Sequence, residues 1–298
     1  MKASTRGKLA ETGVTMPSLV WLGLLFVIPV VLVFAIMFRA PTPDGGFSRE
    51  WTLSTVKTLF DSYYGDIIWR TIWMSFAATA ACILLSTPMG YYLARADEAK
   101  RRWVLLLVIL PFWTSFLVRI FAWKVLLHPD GFIKHLLVWA HLAEPDALLL
   151  YNVWAVLLVM VYTELPFALL PIYAASEKFD FRLLEAAKDL GCHSFRAFCS
   201  VFVPGIRVGI MTAFLMVFIP SLGSYVVPDL VGGTTSEMLG NKIAQYTFVD
   251  RNLPRAAGLS AVLTLTVLGP MLVYMLLRRK NRAAGGGAAA AVAAEGGL

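Results

Sequence analysis

The chain has 298 residues, of which 58% are apolar and only 15% charged, and its mean hydropathy is +0.70. Soluble domains carry about a quarter charged residues, so this composition argues for a membrane protein and excludes disordered and collagenous classes. The formal charge of +7 leaves three readings open: a nucleic-acid footprint, a basic patch on a membrane surface, or a sided transmembrane topology. Three cysteines (Cys82, Cys192, Cys199) and four dispersed histidines give neither a disulfide framework nor metal-ligand spacing.

In chain order, residues 1–15 form a small, polar tail. A helix crossing about 30 Å of hydrocarbon at about 1.5 Å per residue needs about 20 apolar residues. Six stretches are long enough: 16–38, 71–94, 103–123 with Arg119 inside it, 147–176 interrupted only by Glu164, 208–228 and 256–277. The first follows Lys2, Arg6 and Lys8, as a signal peptide does. Its apolar run is too long for that, and no small-residue cleavage site follows, so it reads as a retained helix. Residues 40–66 read as an outer segment in which Trp51, Leu53, Val56, Leu59 and Phe60 recur at helical spacing. That pattern suits a short amphipathic helix on the membrane face or an ordinary cap over the bundle. Residues 279–298 are basic and then Gly/Ala-rich, without the means to bury a core. The fold class is therefore an all-α membrane protein with six transmembrane helices over residues 16–278.

Orientation follows from the basic residues. With the N-terminus inside, the cytoplasmic segments hold 16 Lys and Arg and the outer segments 8. Acidic residues number 8 inside and 10 outside, so the inner face is positive and the outer face slightly negative. The +7 thus reads as a topology signal, with both termini cytoplasmic, and calls for no nucleic acid.

One cytoplasmic loop is long, covering residues 177–204. Leu183, Ala187 and Leu190 recur at helical spacing, Gly191 suits a left-handed terminator, and Ser194 can cap a second short helix ending before Pro204. The expected product is a helix–turn–helix knob lying along the membrane surface. Glu185-Ala186-Ala187, then Gly191, then Val201-Phe202-Val203-Pro204 resembles the EAA loop of binding-protein-dependent ABC importer permeases. Val201 and Val203 stand as conservative departures from the usual Ile-x-Leu-Pro ending.

The resemblance implies a type I ABC importer permease fold, with the loop acting as a coupling hairpin seated on a separate ATP-hydrolysing subunit. Glu185, Ala186, Ala187, Gly191 and Pro204 would form that contact. ATP and Mg would then be bound by the partner subunit, and this chain would be no enzyme and hold no cofactor. No G-x-x-x-x-G-K-[S/T] phosphate loop occurs in it. Residues 110–119, 165–173, 219–233 and 238–243 are similar to polyamine (spermidine/putrescine) permeases. That subfamily implies two ATPase copies, a second related permease, a periplasmic polyamine-binding protein and residence in a bacterial inner membrane among its lipids. Some polyamine permeases carry a carboxylate where Ser224 stands here.

A polyammonium substrate needs carboxylates, carbonyl oxygens and aromatic faces along its route. Glu164, with Tyr162 beside it, and Tyr225 with Asp229 near the outer end of the fifth span, are the candidates. Glu164 is open to three readings: a pathway carboxylate, a structural partner of Arg119, or a water-facing or protonated bystander. Arg119 itself reads as a side chain snorkelling outward. Gly205 and Gly209 at the start of the fifth span permit a close helix contact. An ABC permease for another small solute, or an ion-coupled secondary transporter, are the alternatives. The second would need more titratable groups at depth than Glu164 alone.

Overall fold

The computed structural model describes residues 15–269 apart from 43, 44, 60, 142, 143 and 145. The expected tails, Pro43, Phe60 and the last part of the sixth span lie outside the described residues. The chain divides into two units, one made of residues up to Asp61 and from Ile243 onward, the other of Ser62–Lys242.

In the first unit, α1 (Thr15–Ile36) has no buried residue in its apolar window. A wider π turn at Gly23–Val27 precedes Pro29, whose ring and missing N–H loosen the helical ladder. The outer segment opens on an antiparallel hairpin, β1 (Arg39–Pro41) with β2 (Phe47–Trp51), where no strand was expected, and the short helix expected over Trp51 to Phe60 forms as the five residues of α2 (Ser54–Thr58). The turn explains the difference. Gly45 and Gly46 have φ of +88° and +108°, conformations that reverse the chain. The Gly46 N–H donates to the Arg251 carbonyl at 3.0 Å. This unit also contains α13 (Leu253–Gly269), where a side chain on Gly258 would press on Leu59.

The second unit is a helical bundle. Its helices are α3 (Ser62–Arg95), α4 (Glu98–Ile109), α5 (Phe116–Leu126), α6 (Phe132–Trp139), α7 (Val153–Glu177), α8 (Arg182–Asp189), α9 (Ser194–Gly205), α10 (Arg207–Leu222), α11 (Val226–Val231) and α12 (Leu239–Ala244). The core is α3 packed along α7, with α10 against both. On α3, Ile67, Thr71, Met74, Ala78 and Cys82 are buried at intervals of three and four. On α7, Val156, Val159, Thr163, Pro166, Leu169, Ile172 and Ser176 do the same. Between helices that already sit in an apolar solvent, packing rests on close contact, which small residues allow. Thr71, Thr79 and Thr163 meet this need by donating their hydroxyls to carbonyls of their own helix.

The close contact expected at Gly205 and Gly209 is present. A Cβ on Gly209 would meet Ala175 and lie 2.8 Å from the Pro171 carbonyl, and one on Gly205 would run into the Phe179 ring.

Among the described residues, three helices are unbroken and long and apolar enough to cross a membrane: α1, α3 and α7. Two bent pairs bring the count to five if each serves as one span. The third expected span is one of them. It bends by 96° between a 3-10 turn at Leu110–Trp113 and α5, because Thr114 and Ser115 turn to extended backbone after Pro111. The fourth begins later than expected, at Val153, where the Asn152 side chain accepts from the Ala155 N–H at 2.8 Å. The fifth ends at Leu222, and Gly223 to Tyr225 redirect the chain into α11. The sixth is seen as α13, which is 17 residues long as described.

Candidate functional site

The loop 177–204 folds into the expected helix–turn–helix. The Asp180 carboxylate accepts from the Arg182 N–H at 3.0 Å and starts α8, placing Glu185 in its first turn. At the other end Gly191 has φ +83°. Its N–H donates to the Lys188 carbonyl at 2.8 Å, and the Cys192 N–H reaches back to Ala187 at 3.0 Å. That pair of bonds is a Schellman cap, which requires a left-handed residue at this position. An added Cβ meets nothing within 4 Å, so the demand on Gly191 is purely conformational. Gly191→Ala is therefore expected to destabilise the hairpin by about 1 kcal/mol through backbone strain alone. Proteolysis within residues 189–194 of the folded complex should accelerate about fivefold, and an unchanged rate would contradict the cap.

Two local expectations are corrected. The second helix is capped by His193, whose Nδ1 accepts from the Phe195 N–H at 3.3 Å, while Ser194 is the first helical residue. It also does not stop before Pro204. It runs through Gly205, widened into a π turn at Phe198–Phe202, and bends by 71° into α10. The wide turn accommodates a proline that cannot donate to the helix.

The apolar stripe of α8 is also turned differently. Leu184 is buried, whereas Leu183 is 53% and Leu190 89% exposed, with Phe195 71% exposed beyond them. Ala186 is exposed beside Leu190, whereas Glu185, two residues on from Leu183, is exposed on a different flank of the helix. An apolar ridge at this exposure marks a contact surface, since long apolar side chains left open in this way otherwise attract partners. Behind the ridge lies an aromatic cluster absent from the sequence reading. Phe202 is fully buried, and Tyr91 of α3 meets Phe181, Phe198 and Phe202 edge-on at 5.9, 5.5 and 5.0 Å. Phe179 adds contacts to Phe181 and Phe202 at 5.4 and 5.2 Å. Five phenylalanines within 24 residues of a nominally cytoplasmic loop, four of them in this cluster, were the signal available for it. The cluster packs the hairpin directly against α3.

Inside the bundle, Glu164 is half-buried and makes no hydrogen bond or ion pair among the described residues. The pairing with Arg119 is not formed. The Arg119 guanidinium lies 4.2 Å over the Phe112 ring, and its Nε and Nη1 are buried without a hydrogen-bond partner, so it does not snorkel outward as expected. Tyr162 packs edge-on against Trp123 at 5.3 Å. Two residues along a helix are about 200° apart, so Tyr162 and Glu164 point to nearly opposite sides.

Tyr225 and Asp229 are brought together. They sit one turn apart and both are exposed, the Asp229 N–H donating to the Tyr225 carbonyl at 3.0 Å. The segment 237–242 backs them. Asn241 donates to the Tyr225 carbonyl at 3.0 Å, and the Leu239 N–H reaches the buried Thr71 hydroxyl of α3 at 2.8 Å. Beside this lies an ion pair that sequence reading missed, Lys242 to Glu237 at 3.2 Å, with the Tyr63 ring 5.6 Å from the ammonium. Burial pulls the Lys242 ammonium down, but hydrogen bonds to Tyr63 and Glu237 outweigh it and hold the group above the usual lysine range. It stays charged and neutralises Glu237, leaving Asp229 as the exposed carboxylate of this cluster.

A bundle of apolar helices carrying an exposed surface hairpin at one end and polar groups within is the architecture expected of a membrane transport component. Residues 83–282 match the family described as "Binding-protein-dependent transport system inner membrane component", and the chain belongs to that family. It is 34% identical over 255 residues to the spermidine/putrescine transport system permease protein PotB of Haemophilus influenzae, covering 86% of this chain and 88% of that one. The PotB protein of Escherichia coli is 32% identical over 254 residues, covering 85% and 92%. YdcU, an inner membrane ABC transporter permease protein of Escherichia coli, is 35% identical over 225 residues, covering 72% of each. Among solved structures, a bacterial ABC transporter that imports the acidic polysaccharide alginate has a similar fold, with a TM-score of 0.65 at 16% identity over 94% of this chain and 98% of that one.

Proposed function

We propose that this chain is the permease through which a polycationic amine of the putrescine and spermidine class enters the cell, driven by ATP hydrolysis on a separate subunit. The observation that carries the substrate class is the likeness to PotB along nearly the whole chain. The open ridge of α8 and α9 is the seat for the ATPase, with Glu185, Ala186 and Ala187 in contact and Gly191 and Pro204 shaping the turn and the bend. In this reading the hairpin end faces the cytoplasm, as the basic residues favour, and six spans cross the membrane with both termini inside. A related permease completes the pathway. A periplasmic binding protein delivers the amine to the end that carries Tyr225 and Asp229. Glu164 then offers a carboxylate at depth for an ammonium in transit.

The test is uptake into proteoliposomes holding the complete complex, supplied with its binding protein and ATP. Labelled putrescine and spermidine should accumulate and saturate, while a neutral disaccharide and an acidic oligosaccharide should not. Uptake of the diamine driven by a proton gradient in the absence of the ATPase subunit would overturn the reading.

A further inference from the structure

Two cavities adjoin each other at the junction of α3 and α4, away from the ridge and from Glu164. The first, about 340 Å³, is lined by Tyr91, Tyr92, Arg95, Asp97 and Lys100. The second, about 260 Å³, is lined only by apolar groups and one aromatic ring: Pro88, Met89, Tyr92, Leu93 and Val104. Tyr92 belongs to both. Pro88 precedes Arg95 by seven residues, so the far end of the apolar cavity reaches about 10 Å from Arg95 along the helix, toward the middle of α3.

The charges at the polar end are unevenly satisfied. Arg102 is held by Glu98 at 2.8 Å and Arg101 by Glu177 at 3.3 Å. Lys100 bonds Asp97 at 3.1 Å and keeps two further N–H donors. Arg95 has no carboxylate among the described residues. One of its N–H groups donates to the Tyr91 hydroxyl at 2.6 Å, and its guanidinium lies 5.5 and 5.7 Å from the Tyr91 and Phe181 rings. The level is that of a membrane–water boundary. Trp103 stands 70% exposed on α4 just past the basic cluster, and Leu107, one turn deeper, is 71% exposed.

The geometry points to a binding site for one acidic phospholipid, its phosphate at Arg95 and Lys100 and an acyl chain in the apolar cavity. A cationic mouth at the membrane surface leading to an apolar slot in the hydrocarbon matches the two halves of such a molecule in order and polarity. The inference takes from the proposed function only that the hairpin end lies at a membrane surface, and it does not depend on which solute is carried.

The test is native mass spectrometry of the complete complex titrated with equal amounts of dioleoyl-phosphatidylglycerol and dioleoyl-phosphatidylcholine. Phosphatidylglycerol should be retained preferentially, one molecule per copy of this chain. Arg95→Gln should lower that retention about fivefold, the worth of one basic residue near such a surface. Val104→Trp, which fills the apolar slot and leaves the charges in place, should lower it as well. Arg102→Gln, whose side chain lines neither cavity, should not. Retention unchanged in both Arg95→Gln and Val104→Trp would overturn the site. So would equal retention of phosphatidylcholine, or displacement of the lipid by millimolar glycerol phosphate, which would mark a site for a free anion. Uptake assays play no part in the readout, so failure here leaves the substrate question untouched.

Discussion

Replacing Glu185 by alanine is expected to lower ATP-driven amine uptake by about 10- to 100-fold while the protein still inserts and assembles. Glu185 stands in the first turn of α8, exposed, on a different flank of the helix from Leu183 and Leu190. Its carboxylate makes no hydrogen bond or ion pair among the described residues, so its removal costs the folded chain less than about 0.5 kcal/mol. A charged hydrogen bond to a partner is worth about 1.5–3 kcal/mol, which sets the range of the loss. The check is uptake per complex together with ATP hydrolysis stimulated by the loaded binding protein. Full uptake in Glu185→Ala would remove Glu185 from the coupling contact. Leu190→Asp, which places a charge on the ridge, separates a lost contact from a lost seat, because it should also weaken co-purification of the ATPase.

The second large effect is expected at Glu164. Glu164→Gln keeps the shape of the side chain, removes its charge and exchanges one acceptor oxygen for an N–H donor group. An ammonium passing an unpaired carboxylate in a low-dielectric channel is attracted far more strongly than in water. The variant should raise the half-saturating polyamine concentration, or lower maximal uptake, by about tenfold with the amount of assembled complex unchanged. Fewer assembled complexes with normal transport per complex would make Glu164 a structural residue. The geometry already weighs against one version of that role. The proposed partner Arg119 is turned onto Phe112, and it is the guanidinium rather than the carboxylate that is left with buried, unsatisfied nitrogens.

The long apolar runs were legible because hydrocarbon thickness sets a length that composition cannot disguise, and α3 and α7 follow it. Where the runs break was less legible. Pro111 and Gly223 each stand in an apolar stretch, and only the tertiary packing decides that the chain turns after one and after the other. The outer hairpin shows the reverse case. Trp51, Leu53 and Val56 have helical spacing, and a short helix does form at Ser54–Thr58, but Gly45 and Gly46 supply a turn that brings Phe47 to Trp51 back onto β1. In the hairpin, Gly191 was readable because its left-handed backbone is a local demand. Which side of α8 packs was not, since Leu183 and Leu184 both fit an amphipathic pattern and only the buried Phe202 beneath selects Leu184. Tyr162 and Glu164 were paired by nearness in sequence, and the 3.6-residue period separates them. Tyr225 and Asp229, four apart, fall on one face for the same reason.

The most direct measurement fixes the side of the membrane on which ATP acts. In proteoliposomes whose complexes are sorted by orientation, ATP supplied only at the end bearing residues 182–205 should drive labelled putrescine in from the opposite side, at a rate that falls with Glu185→Ala. Equal uptake with ATP confined to the opposite side, or accumulation without any ATPase subunit, would contradict a permease that takes its energy through this hairpin.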